Sequence, residues 1–303
     1  MRVFSSADDV KRPLHPILDR TLDIIAGPAD PVSRVDTLLL PNAVTTDSNH
    51  RVFVADPGAK GVHVFDFIRS KYSLLGGDSN RLQAPISLAV DSQDNLYVVD
   101  QIRRIVLIYD SAGRFRRYLG KLRGKESYFD SPAGIAIDKA TGRVYVSDRQ
   151  RHMIFILDQR GRLIRKLGTR GGGEGPAEFN SPGQIVVTGG ELFLLDAGNR
   201  RVQILDLTGN YLRAISLASA DERTGLAVDG HGDMYVSDPV LNRIQVFGHD
   251  GQRLGTFDPA TIKHIDLKHP SGMWIDAGHY LYVVDSPSRR IGIFQINGNN
   301  PPH

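Results

Sequence analysis

The chain has 303 residues, 41% of them hydrophobic, with 31 glycines, no cysteine and a formal charge of only +3. These figures exclude a disulfide framework, a thiol nucleophile and a thiolate metal site, and the charge implies a nucleic-acid partner only if it is clustered. No apolar run reaches the ~18 residues of a membrane-spanning helix, so no membrane insertion is expected.

In chain order, residues 1–20 carry Pro13 and Pro16 and are expected to form an extension outside any repeat, a tether or docking arm. The opening Met1-Arg2-Val3-Phe4-Ser5-Ser6 has no apolar stretch of the kind a leader peptide needs. Residues 21–27 read as a strand. Six similar units follow. Each has an apolar run after a proline at 41, 85, 132, 182 or 270, with Arg223 or Thr224 in that place in the fifth unit. A second strand then closes on Asp56, Asp100, Asp148, Asp196, Asp238 or Asp285, at intervals of 44, 48, 48, 42 and 47 residues. Third strands such as Val106-Leu107-Ile108-Tyr109 and Ile154-Phe155-Ile156-Leu157 have the β-branched and aromatic bias of a half-buried sheet. A fourth strand follows an Asp/Ser-x-Gly turn. Around Arg114–Leu119 and Arg162–Leu167 it alternates apolar and basic residues, the pattern of an outer edge with one wet face.

A period of roughly 40–50 residues with several short strands per unit marks a β-propeller. The sixth unit stops after its third strand, at Ile296, leaving 297–303 as a tail. The missing fourth strand is expected from the N-terminus, where 21–27 occupies the slot before Pro41 that Leu163 to Gly168 occupies before Pro182. The expected fold is therefore all-β: one domain over 21–296, a six-bladed propeller of four-stranded antiparallel blades, its last blade closed by the N-terminal strand.

Pro-x-Gly-Ile-Ala-Ile-Asp at 132–138, the Tyr-Val-x-Asp strands, and Asn199-Arg200-Arg201-Val202 with Asn242-Arg243-Ile244 resemble NHL repeats over about nine-tenths of the chain. That resemblance implies the propeller fold but no single activity. The family includes RNA- and protein-binding modules of tripartite-motif ubiquitin ligases, sensor domains of bacterial kinases and a metal-dependent peptide-amidating lyase. The zinc modules that flank the ligase members need cysteines this chain lacks.

Four or five residues after the strand-closing Asp, each unit places a basic residue: Lys60, Arg104, His152, Arg200 with Arg201, Arg243, and Arg289 with Arg290. Arg103, Arg149 and Arg151 join the same loops. At Arg104, Arg200, Arg243 and Arg289 the plainer reading is structural, with the Arg folding back on its Asp. The extra charges at Arg103, Arg149, Arg151, Arg201 and Arg290 point to an acidic partner. Base-stacking candidates are scarce. Tyr128, Phe129 and Phe179 are available, but Phe129 and Phe179 recur before Ser-Pro at one offset, which suggests packing. Asp47, Asp91, Asp138, Asp229 and Asp276 close the innermost strands, with Thr188 in the remaining unit, and read as turn residues rather than as Ca2+ ligands. His152, His264 and His269 are the histidines that could approach the channel as zinc ligands. The glycine-rich 171–176 segment precedes a new blade rather than a helix, so it is a flexible loop and not a phosphate cradle.

The expected function is a non-catalytic scaffold binding a protein, peptide or anionic polymer on a basic face, with no cofactor. The alternatives are a Zn- or Ca-dependent lyase or hydrolase at the channel mouth, and an RNA-binding module. Absence of cysteine fits either compartment, and, taken with how standalone chains resembling NHL propellers usually occur, a periplasmic or extracellular bacterial setting is expected over the cytoplasm.

Overall fold

The computed structural model describes residues 2–4, 38–76, 81–120, 127–238, 240–257 and 268–296. It is a six-bladed propeller of antiparallel sheets. Blades I to V span 43–75, 85–119, 132–167, 182–216 and 226–257, and in each the four strands follow one another from the axis outward. Blade VI takes three strands from 270–295 and a fourth from the other end of the chain.

That fourth strand is Arg2–Phe4, which pairs antiparallel with Arg290–Gln295 in the register Val3 to Gly292. The ring is thus closed by the N-terminus, as the truncated sixth unit required. The strand, however, comes from the segment expected to lie outside the repeat. Residues 21–27 lie outside the described residues. Closure matters physically because a free edge beside blade VI would present unpaired backbone donors and acceptors.

Second and third strands are almost wholly buried, as in Val144–Asp148 and Gly61–Asp66. An apolar cluster fills each interface between neighbouring blades: Phe155 and Val146 between II and III, Phe193 and Val236 between IV and V, and Phe65 with Ile291 between VI and I. Phe129 and Phe179 belong to two of these seams and are 1% and 0% exposed, so they pack rather than stack on a ligand.

The inner strands come so close that side chains are excluded. A Cβ on Gly134 would stand 2.4 Å from Gly183 O, on Gly225 1.9 Å from Ser271 O, and on Gly272 2.2 Å from Asn42 O. Two serines one residue before the strand-closing Asp stitch the same seams. Ser147 Oγ accepts from Gly134 N at 2.8 Å and donates to Gly183 O at 2.6 Å. Ser237 Oγ accepts from Gly225 N at 2.7 Å and donates to Ser271 O at 3.1 Å.

Candidate functional site

The chain passes from blade to blade on one rim, called upper here, which also carries the turn between second and third strands; the turns between first and second and between third and fourth strands lie on the lower rim. On the upper rim the strand-closing aspartates are fully buried and act as staples. Asp148 accepts from Asp130 N at 2.7 Å and from Ser131 N in the loop leading into its blade, and from Arg151 N at 3.0 Å in its own turn. Asp56 does the same with Leu39 N, Leu40 N and Ala59 N, and Asp100 with Gln83 N, Ala84 N and Arg103 N. A carboxylate that accepts several N–H groups holds two segments together by charge-assisted bonds. At Asp56, burial alone would raise the carboxyl, but hydrogen bonds from His63, Leu39 N and Ala59 N outweigh it and hold the group below its ordinary 3.8.

Four residues after each staple the backbone is left-handed: Lys60 (φ 50°), Arg104 (56°), His152 (55°), Arg200 (49°), Asn242 (53°) and Arg289 (54°). The N–H of Arg104 bonds Gln101 O, that of Arg200 bonds Ala197 O, and that of Arg289 bonds Ser286 O, closing a tight turn in each case. So the Asp–Arg spacing records a backbone conformation, and the side chains of Arg104, Arg200 and Arg289 do not fold back on the aspartate. All three are exposed.

The neighbouring cations have different fates. Arg201, five residues after Asp196, bonds its Oδ2 at 2.8 Å and spans the carbonyls of Glu174, Gly175 and Glu178 at 2.7, 3.0 and 3.0 Å. It thereby ties down the glycine-rich 171–176 loop, which Asn199 also holds through Gly173 O. Arg151 forks onto Asp130 at 2.8 and 3.1 Å. Arg243 stands 3.9 Å from Asp238. Arg103 and Arg290 are half-buried. Apolar side chains share this rim: Ile102 is 64% exposed, Val240 65%, Leu241 53% and Leu40 51%.

Inside the ring lies a cavity of about 910 Å3, walled by inner-strand residues including Ile86, Leu88, Ile135, Ile185 and Trp274. At its upper mouth the residue just after the staple turns inward, as Gln101, Arg149 and Ser286. Arg149 crosses from blade III to the loop before blade V, where Nη2 donates to Glu222 O at 2.8 Å and Nη1 lies 3.6 Å from Glu222 Oε2. Its Nε is buried without a hydrogen-bond partner. Burial pushes the guanidinium below its ordinary value, and Glu222 and Asp221 oppose that shift. Gln184, on the inner strand of blade IV, joins blades V and VI, donating to Met273 O at 2.8 Å and accepting from Leu226 N at 3.0 Å.

The lower-rim aspartates close their own turns: Asp47 Oδ1 accepts from Asn49 N and Arg51 N, Asp91 from Gln93 N and Asn95 N, Asp229 from His231 N and Asp233 N. Asp138 accepts from Ala140 N and Asp276 from Gly278 N in the same way. Of the histidines considered as ligands, His152 Nδ1 accepts from Ser181 N at 3.1 Å and His269 Nδ1 pairs with Asn242 Oδ1 at 3.0 Å. His264 lies outside the described residues. Among the described residues no three His, Asp or Glu side chains gather as a metal site would require.

A family model described as 6-bladed beta-propeller matches residues 135–238. No curated protein matches the chain. Among solved structures, a catalytically inactive virginiamycin B lyase from Staphylococcus aureus with quinupristin aligns at TM-score 0.62 and 14% identity, over 89% of this chain and 84% of that one. A gluconolactonase from Xanthomonas campestris aligns at 0.63 and 14%, over 84% and 85%. A nidogen/laminin complex aligns at 0.62 and 16%, over 79% and 86%. At such identities the likeness is one of fold, and these folds serve a lyase, a lactonase and an assembly.

Proposed function

We propose that this chain is an NHL-type propeller that acts as a non-catalytic binding scaffold, docking an acidic protein, peptide or polymer on its upper rim. One observation carries the reading. The left-handed position of each upper-rim turn suits Gly or Asn on backbone grounds. Only Asn242 meets that preference, whereas Lys60, Arg104, His152, Arg200 and Arg289 occupy the other five. A cation kept where the backbone disfavours it is held there for its side chain. His152 supports the fold through Ser181 N; Arg104, Arg200 and Arg289 instead present exposed charge.

The exposed Ile102, Val240, Leu241 and Leu40 give the same rim an apolar component, which favours a polypeptide partner. RNA is the weaker reading, because Phe129 and Phe179 are core residues and the exposed Tyr118 and Tyr211 lie on outer strands. A metal-dependent lyase or hydrolase draws no support from the placement of His152 and His269.

The test is binding of poly-L-glutamate, followed by fluorescence anisotropy from about 50 to 200 mM salt. Affinity is expected to fall steeply with salt, and Arg104/Arg200/Arg289→Ala to weaken binding about tenfold at the lower salt. Salt-independent binding, or a triple variant that binds as well as the parent, would discard the docking reading.

A further inference from the structure

Docking on the rim leaves the central cavity unused, and its lining is not that of a simple structural void. We propose that the cavity is a binding site for a small amphipathic carboxylate, its apolar body lying along the inner strands and its carboxylate held by Arg149. The site is separate from the rim arginines and stands or falls without them.

Size and lining come first. A volume of about 910 Å3 is within the range of small-molecule sites, which are mostly apolar walls with a few convergent polar groups. Here the walls are Ile86, Leu88, Ile135, Ile185 and Trp274, with polar groups at both ends: Gln101, Arg149 and Glu222 at the upper mouth, and Asp138, Lys139 and Thr188 at the lower.

Charge comes second. A guanidinium has five N–H donors. Arg149 has one short bond, to the Glu222 carbonyl, and the Glu222 carboxylate stands 3.6 Å off, with its side chain 76% exposed to solvent. The guanidinium side chain is itself only 23% exposed. A desolvated, under-coordinated cation beside an apolar wall is stabilised by an anion whose remaining atoms want that wall. The planar fork suits a carboxylate in particular. The other cation at this mouth, Arg223, is already paired with Asp221 at 2.6 Å, which leaves Arg149 as the anchor and a single negative charge as the match.

Repeat position comes third. The corresponding residues in sequence are Pro57, Gln101, Ala197, Pro239 and Ser286, so the cation at Arg149 is not part of the recurring loop chemistry. One ligand chemistry has two sources, a free alkanoate or the C-terminus of an apolar peptide.

Trp274 is the chain's one tryptophan and lines the cavity, so its emission reports occupancy directly. The experiment titrates the full chain with octanoate, octanol, N-acetyl-leucyl-leucine and the amide of that dipeptide. The expected result is saturable change with the two carboxylates and binding weaker by about tenfold or more for the alcohol and the amide. Tighter binding of the dipeptide acid assigns the site to peptide C-termini, and tighter octanoate to alkanoates. Arg149→Gln is expected to remove the preference for the acids while leaving octanol binding unchanged. Equal affinity for acid and neutral forms, or no saturable change with any probe, would overturn the proposal. Should Arg149→Gln fail to fold, the acid-against-neutral comparison in the parent protein decides alone.

Discussion

The two rims solve the same backbone problem with different residues. Turns on the lower rim that need a positive φ are filled mostly by glycine, as at Gly113, Gly142, Gly161, Gly209, Gly232 and Gly251. The upper-rim turns need the same conformation in every blade, yet none of the six positions is glycine. The strand-closing carboxylates of the lower rim, Asp47, Asp91, Asp138, Asp229 and Asp276, each close a turn within their own blade, whereas those of the upper rim join separate segments and leave arginines facing water. The contrast separates what the fold requires from what it merely tolerates. On the lower rim residue choice follows the backbone in most turns, with His50, Ser70, Asp94 and His279 as exceptions, whereas of the six upper-rim positions only Asn242 does so.

The largest effect is expected where the architecture leaves no room. Gly225→Ala and Gly272→Ala place a methyl within 1.9 and 2.2 Å of backbone carbonyls and should each cost about 3 kcal/mol or more in chemical unfolding. Gly230→Ala meets nothing within 4 Å and should stay within about 0.5 kcal/mol. Similar losses at all three positions would erase the distinction between seam and turn.

Next come the carboxylates. Asp148→Ala strands three backbone donors and should cost about 2–3 kcal/mol, against about 1 kcal/mol for Asp138→Ala in a lower-rim turn. Equal losses would show that the staples hold no more than ordinary turns.

A smaller effect follows from pH. The Asp56 carboxyl is held below 3.8 in the fold, so its contribution is complete above about pH 4 and is lost as pH falls through the lowered value. Urea midpoints measured from about pH 5 down to pH 2 should drop, and Asp56→Asn should be less stable at the upper end but flatter across the series. At the alkaline end, burial pushes Tyr97 and Tyr109 up to about 12, with Asp91 adding to the effect at Tyr97. Their stabilisation is complete below pH 10 and fades as pH rises toward the folded values. A flat stability profile from pH 9 to about 12 would contradict it.

Much of the fold was legible because it rests on period. The spacing of Asp56 through Asp285 gave blade number and strand order, and the recurring offset of Phe129 and Phe179 pointed to packing, where they lie. The closing strand was not legible, because Arg2–Phe4 is three residues long and carries no period, while 21–27 imitates the outer-strand pattern. Nor was the conformation at Arg104, Arg200 and Arg289, since arginine is no signal for positive φ. Arg149 and Arg151 sit two residues apart in one loop and look alike in sequence. One reaches across the mouth and the other forks onto Asp130, a difference set by which segment stands opposite. Ser147 and Ser237 showed no hint of their inter-blade role, which depends on a neighbouring carbonyl far away in the chain.

The docking function depends on cations being retained at the rim against local backbone preference. Replacing Arg104, Arg200 and Arg289 together by Asn, then measuring unfolding free energy and poly-L-glutamate affinity on one preparation, reads that directly. The expected outcome is opposite signs: stability unchanged or raised by about 0.5–1 kcal/mol, with binding about tenfold weaker. A triple variant that is less stable and binds as before would mean these arginines serve the turn alone.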